Sequence, residues 1–317
     1  MRQQSIHYPA AQQPVMCQPE TKQHVLRQYV TTQEPSKPSH TPKGLSGFAL
    51  KYLAMALMVL DHIEYFFAYT GKVPLIFSQL GRLAAPLFLF CLIEGFTHTH
   101  DRRKYFLRIY LLSVVMGAIQ FSFYNIGYAL VRPDGFFPQN QMLASFAILL
   151  VVLQGFDWCG RKKWGRGLTA ILIPVCLPYF AAVLMSAFQN PAWNFSLNLL
   201  AFTLLPMHSF IMDGGTATLL FGIVLYLFRK NRIRQAAAFV ITCILWDILR
   251  IYLMAPQLGF ADYFTTAYEW MEVFAVIPML CYNGIRGQGS KSLFYWFYPV
   301  HIYVLYGLSF VLYRFFS

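Results

Sequence analysis

The sequence predicts an all-α fold, a polytopic membrane bundle of nine to ten transmembrane helices behind a polar amino-terminal tail. Three observations carry this reading. The 317 residues are 57% hydrophobic and only 12% charged, where an average soluble domain has about a quarter of its residues charged. Aromatic residues reach 18%, with 30 Phe and 20 Tyr, more than a single soluble core hides and well suited to membrane interfaces. From Gly47 onward the apolar residues come in long runs, and about twenty such residues carry a helix across about 30 Å of hydrocarbon.

Residues 1–45 are rich in Gln, Pro, Thr, Ser and His without apolar periodicity, which reads as a disordered tail. The tail has no apolar stretch of the kind a signal peptide needs, so the first span is expected to be an uncleaved anchor. Residues 46–317 form the membrane domain. Its spans are expected near 47–69, 80–97, 104–125, 141–157, 168–188, 214–228, 235–254, 264–282 and 293–312. Alternate connections hold fourteen basic residues (Arg102, Arg103, Lys104, Arg108; Arg161, Lys162, Lys163, Arg166; Arg229, Lys230, Arg232, Arg234; Arg286, Lys291) against Lys72, Arg132 and Arg314 on the other side. Lys and Arg accumulate in cytoplasmic loops, so the amino terminus is expected in the cytoplasm. Residues 190–213 hold an apolar core of only about eleven, short for a crossing. They read as a re-entrant or surface segment on the outer side, with a ten-span arrangement kinked at Pro206 as the alternative.

The net charge of +12 would suggest nucleic-acid binding in a soluble protein. Here the basic residues sit in short loops, where they set orientation, and no nucleic-acid partner is expected. The six cysteines show no metal-ligand spacing, and neither a disulfide framework nor a metal site is expected. His98 and His100 beside the basic Arg102–Lys104 turn read as a solvated loop face, with a two-histidine metal site as the alternative. There is no phosphate-cradling glycine loop, nucleophile elbow or triad motif.

What stands out is ionisable residues within the spans: Asp61, His62 and Glu64 on the first, Arg82 and Glu94 on the second, Asp247 and Arg250 on the seventh, Glu269 and Glu272 on the eighth, and His301 on the ninth. Each charge at bilayer depth costs several kcal/mol on most scales and needs a partner, water or a function. Most fall in the outer half of their helices, so a shared polar cavity between spans one, two, seven, eight and nine is expected. Bundle-stabilising pairs, Asp61 with Arg82 and Glu269 or Glu272 with Arg250, explain the same charges. His62 differs in kind because it exchanges a proton near neutral pH. Neighbouring helical residues diverge by about 100°, so Asp61 is not its obvious orienter, and Glu269, Glu272 or Asp247 serves equally. Lys51 precedes His62 by eleven residues, about three turns, and shares its stripe. His301 follows Pro299, which removes a helix hydrogen bond and leaves a carbonyl open.

The runs LKYLAMALMVLDHIEYFF (50–67) and GRLAAPLFLFCLIEGFTHTHDRRKYFLRI (81–109) resemble the TraX family, named for the protein that acetylates the amino terminus of F pilin during conjugation. MDGGTATLLFGIVLYLF (212–228) and FYWFYPVHIYVLY (294–306) are similar to its later segments. The resemblance covers about 270 residues. It implies a multi-pass acyltransferase of the cytoplasmic (inner) membrane that takes acetyl from acetyl-CoA, with a peptide or glycan acceptor. The wider transmembrane acyltransferase superfamily carries an Arg, ten residues and a His on an early helix. Here the matching positions are Lys51 and His62, and Lys offers a point charge where Arg offers a fork.

On this reading His62, Asp61 and Arg82 are catalytic, with Glu94, Asp247, Arg250, Glu269, Glu272 and His301 as supporting cavity residues. Lys51, Arg102, Arg103 and Lys104 would hold the phosphates of the donor. O-acetylation of a surface or secreted glycan is the alternative chemistry. A transporter or membrane assembly scaffold is the alternative of another class, since buried charges also mark transport pathways.

Overall fold

Ser46 begins the helical part of the chain. Its backbone is extended and its Oγ accepts from the Ala49 amide at 3.2 Å, satisfying one of the four amides that a helix start leaves unpaired. Helix α1 (Gly47–Phe67) follows, burying Met55, Met58, His62 and Phe66. That spacing of three and four residues puts His62 on the inward stripe. In the computed structural model, residues 43–125, 128–188 and 190–316 are described. The expected tail lies outside them, apart from its last three residues.

The next apolar run is interrupted. Helix α2 (Ile76–Gly81) and helix α3 (Ala84–His98) are separated by a turn at Arg82 and Leu83. Pro86 has no amide to donate to the Arg82 carbonyl, so the helix restarts there. The chain continues through α4 (Arg102–Asn125), α5 (Met142–Gly160), α6 (Trp164–Ala187), α7 (Pro191–Phe202), α8 (Gly215–Leu227) and α9 (Arg232–Met254). It then passes a single-turn α10 (Asp262–Thr265), a 3-10 stretch (Tyr268–Ala275) and the short α11 (Val276–Leu280), and ends in α12 (Lys291–Phe316). Among the described residues there is no strand, only an isolated bridge between Leu45 and Tyr282. Helices α3 and α5 are the most buried spans, and α6 lies at the edge with Tyr179, Phe180 and Val183 exposed, an apolar surface that suits lipid.

Six segments among the described residues are long and apolar enough to cross a membrane: α2 with α3, α4, α5, α6, α9 and α12. Three of the nine expected crossings differ. Helix α1 is long enough at 21 residues, but Lys51, Asp61 and Glu64 interrupt its apolar character. Helix α8 has 13 residues, about 20 Å at 1.5 Å per residue. The segment expected at 264–282 is no continuous helix, because it divides into α10, the 3-10 stretch and α11. A kinked crossing through Pro206 is absent as well: α7 ends at Phe202 and residues 203–207 are not helical.

Candidate active site

A cavity of about 380 Å³ lies between α1, α3, α5, α8, α9, the 3-10 stretch and α12. Seven of the charged residues singled out in the sequence line it: Asp61, His62, Arg82, Asp247, Arg250, Glu269 and Glu272. Met55, Met58, Phe88, Phe146 and Phe221 supply an apolar wall.

Asp61 and Arg82 meet because α2 runs directly against α1. A side chain at Gly81 would overlap Asp61, so only glycine permits the approach. The Asp61 carboxylate accepts from Arg82 Nη2 at 2.5 Å and from Ser78 Oγ at 2.8 Å. Arg82 also donates to the Ser78 carbonyl through Nε at 3.3 Å, and Tyr268 donates to Ser78 Oγ at 3.1 Å. The guanidinium is thus held at the helix break by its own preceding turn. Across the cavity, Arg250 Nη2 donates to Glu269 at 2.9 Å and lies 3.5 Å from Asp247. Glu272 lines the same side of the cavity.

The partner of His62 is another histidine. His301 Nδ1 lies 2.7 Å from the Phe297 carbonyl, which can only accept, so this nitrogen carries a proton. In neutral His301 the Nε2 atom is then an acceptor. It sits 2.7 Å from His62 Nδ1, which therefore donates. This leaves the lone pair of His62 on Nε2, where the Asn140 amide donates at 3.0 Å. The chain of bonds fixes one tautomer, as buried histidines with a second partner require. None of the three carboxylates considered from the sequence occupies that place.

Glu94 is the other departure. It follows Arg82 by twelve residues on the same helical run, about 18 Å along the axis, and does not line the cavity. At that end it pairs with Arg232 at 2.9 Å. The basic residues expected to hold phosphates are also away from the cavity lining. Arg102 donates to Asp157 at 2.9 Å and lies over the Phe96 ring, Lys104 pairs with Asp101 at 3.2 Å, and Arg103 is exposed. Lys51 Nζ sits 5.3 Å from the centre of the Phe294 ring, and Phe294 lines the cavity. No group of three or more metal-ligating side chains occurs among the described residues.

Sequence reasoning missed Asp213, Asn140 and Tyr298. Asp213 precedes α8, where Gly214 and Gly215 take positive φ of 92° and 44°, a conformation glycine adopts without strain. Tyr298 donates to its carboxylate at 3.2 Å and accepts from the Met142 amide at 3.2 Å. The loop bearing Asn140 is anchored by Arg132, which is 4% exposed and donates to the Phe66 carbonyl, to Ser309 and to both oxygens of Asp134. The Asp-Gly-Gly step and a Tyr one helical turn before His301 were the available signals.

A polytopic helical protein with a charged cavity enclosed among its apolar helices is the class that this fold and site define. The TraX protein family matches residues 46–309, and the chain belongs to that family. A relative named "Probable fimbrial assembly protein FimC, serogroup H1" from Dichelobacter nodosus is 25% identical over 271 residues, covering 82% of this chain and 94% of the relative. No solved structure matches the chain.

Proposed function

We propose that the protein is a membrane-embedded acyltransferase, acetylating the amino terminus of a pilin-like peptide with acetyl-CoA as donor. The observation that carries this reading is the fixed tautomer of His62, which leaves its lone pair on Nε2 beside a cavity holding the Asp61–Arg82 pair. Family membership and a relative named for fimbrial assembly support the choice of acceptor.

In the proposed reaction the acceptor N–H takes the place of the Asn140 amide at Nε2 and gives its proton there as the nitrogen attacks the thioester carbonyl. Arg82 meets the developing oxyanion. Its bonds to Asp61 and Ser78 use Nε and Nη2, which leaves the Nη1 edge to face the substrate. The departing thiolate recovers the proton from His62. The donor enters from the Lys51 and Phe294 end, and the apolar wall suits its pantetheine arm. The basic loops face the cytoplasm of the inner membrane, together with the amino terminus.

The test is acetyl transfer from acetyl-CoA to peptide amines and to surface glycans, in membranes carrying wild type or His62→Ala. Removing a general base costs about 10²- to 10⁴-fold, so transfer to the peptide should fall by that much at equal protein level. Near wild-type turnover removes His62 from the mechanism. Transfer to glycan hydroxyls alone replaces the acceptor and keeps the chemistry.

A further inference from the structure

The cavity holds more carboxyl than guanidinium groups. Five carboxylates, Asp61, Asp213, Asp247, Glu269 and Glu272, face two guanidinium groups, Arg82 and Arg250. Asp61 is matched by Arg82, while Asp247 and Glu269 share Arg250. Among the described residues neither Asp213 nor Glu272 forms an ion pair with a guanidinium, and Asp213 accepts from the neutral Tyr298 hydroxyl at 3.2 Å. His62, which lines the same cavity as Asp213, accepts from the Asn140 amide at Nε2. A carboxylate and an imidazole therefore face one and the same cavity. A half-buried carboxylate whose donor is neutral is stabilised by a cation.

We propose that Asp213 is a catalytic residue that binds a protonated amine and removes its first proton before His62 acts. The proposal rests on the acyltransferase reading above and adds a second base to it. An ammonium cannot attack a carbonyl, so R–NH3+ first gives one proton to the Asp213 carboxylate. The amine R–NH2 then forms its N–C bond to the thioester carbon and gives a second proton to His62 Nε2. The C–S bond breaks, and the thiolate takes that second proton from His62. The products are amide, thiol and one proton on Asp213, which is lost to water when the cavity empties. A hydroxyl acceptor carries a single exchangeable proton and needs no such group. Asp213 therefore marks an amine site.

The groups whose titration bears on this profile come from every element around Asp213. Tyr298 lies on α12, and Asp61, His62 and Tyr65 lie on α1. Arg82 is at the break before α3. Across the cavity stand Asp247 and Arg250 on α9 with Glu269 and Glu272 on the 3-10 stretch. On its own segment, His208 is turned away, to Thr216 at 2.8 Å and the Val175 carbonyl at 3.2 Å.

The experiment measures acetyl transfer to a peptide amine by the full-length protein in membranes, from pH 6 to 9, for wild type, Asp213→Asn and Asp213→Glu. An α-amino group titrates at about 7.7–8.0, so only about a tenth of it is neutral at pH 7. Asp213→Asn should be about tenfold slower at pH 7, and the difference should close by pH 9, where the solution supplies neutral amine. Asp213→Glu should keep the wild-type profile. Equal rates at pH 7, or a loss that is uniform across pH, overturns the role of Asp213 while wild-type transfer upholds the acyltransferase. Wild-type transfer to hydroxyls but never to amines also overturns it alone. A wild type that transfers nothing from acetyl-CoA overturns both. Should Asp213→Asn fail to accumulate, Tyr298→Phe keeps the carboxylate and removes its donor. The acid limb of kcat/KM should then move to higher pH, and an unmoved limb overturns the proposal.

Discussion

The run formed by α2 and α3 carries a half-buried charge pair at each end, and the two ends are built differently. At one end Arg82 sits in a helix break, shares Asp61 and Ser78, and faces a cavity of about 380 Å³. At the other end Glu94 takes Arg232 at 2.9 Å, and the Arg232 guanidinium lies over the rings of Phe90 and Tyr282. The first pair is open to a small molecule, whereas aromatic rings cover the second. Charge inside an apolar helix therefore does not by itself define a site. The deciding features are the interrupted helix and the enclosed space beside it.

Arg82 is the strongest lever on this contrast. Arg82→Ala should lower acetyl transfer by about 10²- to 10³-fold, the usual cost of losing an oxyanion donor, at unchanged protein level. Arg82→Lys should recover little, because a point charge cannot hold Asp61 and a ligand with a planar fork. The check is turnover per unit of protein quantified in the membrane. Disappearance of Arg82→Ala from the membrane would make this pair as structural as the other and erase the contrast.

The opposite end should respond in stability. Glu94→Gln keeps the shape and removes the charge facing Arg232, a loss of about 1–2 kcal/mol for a partly exposed charged hydrogen bond. Thermal unfolding of the purified protein in detergent should shift down by a few degrees, with turnover of the folded fraction within about twofold of wild type. A much larger fall in turnover would return Glu94 to the cavity machinery.

The same contrast explains what was legible in the sequence. The helical class and six crossings follow from apolar length, a property that each segment carries by itself. The three segments that depart, α1, α8 and the run from α10 to α11, carry or adjoin His62, Asp213, Glu269 and Glu272. Their apolar length was spent on charges, a helix start and a 3-10 turn, which is how a site breaks a pattern. The gathering of Asp61, Arg82, Arg250 and Glu269 was readable because unpaired charge at depth is costly. The partner of His62 was not, because a contact across 239 residues depends on packing that spacing on one helix does not encode. Asp213 was hidden for a related reason: residues 190–213 lack the apolar length of a span, so their final carboxylate read as surface.

Arg132 offers a third case, between the two ends of the run. It was counted from the sequence as an outward loop charge, yet it is buried against Phe66 and Ser309 and grips Asp134 with Nε and Nη2. These bonds hold the Asp134 carboxyl, in the loop outside the helices, below the usual carboxylate range. A depressed folded value means that the pair stabilises the protein fully above the ordinary value of about 3.9. That stabilisation is lost as pH falls through the folded value. With 29% of the Asp134 side chain exposed, solvent screening keeps the effect small. Melting temperature followed from pH 6 down to 3 should therefore drop slightly more steeply for wild type than for Asp134→Asn, with the two curves parallel above pH 5. Because the loop also carries Asn140 beside His62, transfer by Asp134→Asn should weaken only where the melt has begun. Parallel curves over the whole range would mean that Arg132 is held by its carbonyl, hydroxyl and ring contacts alone, and that its carboxylate partner adds nothing.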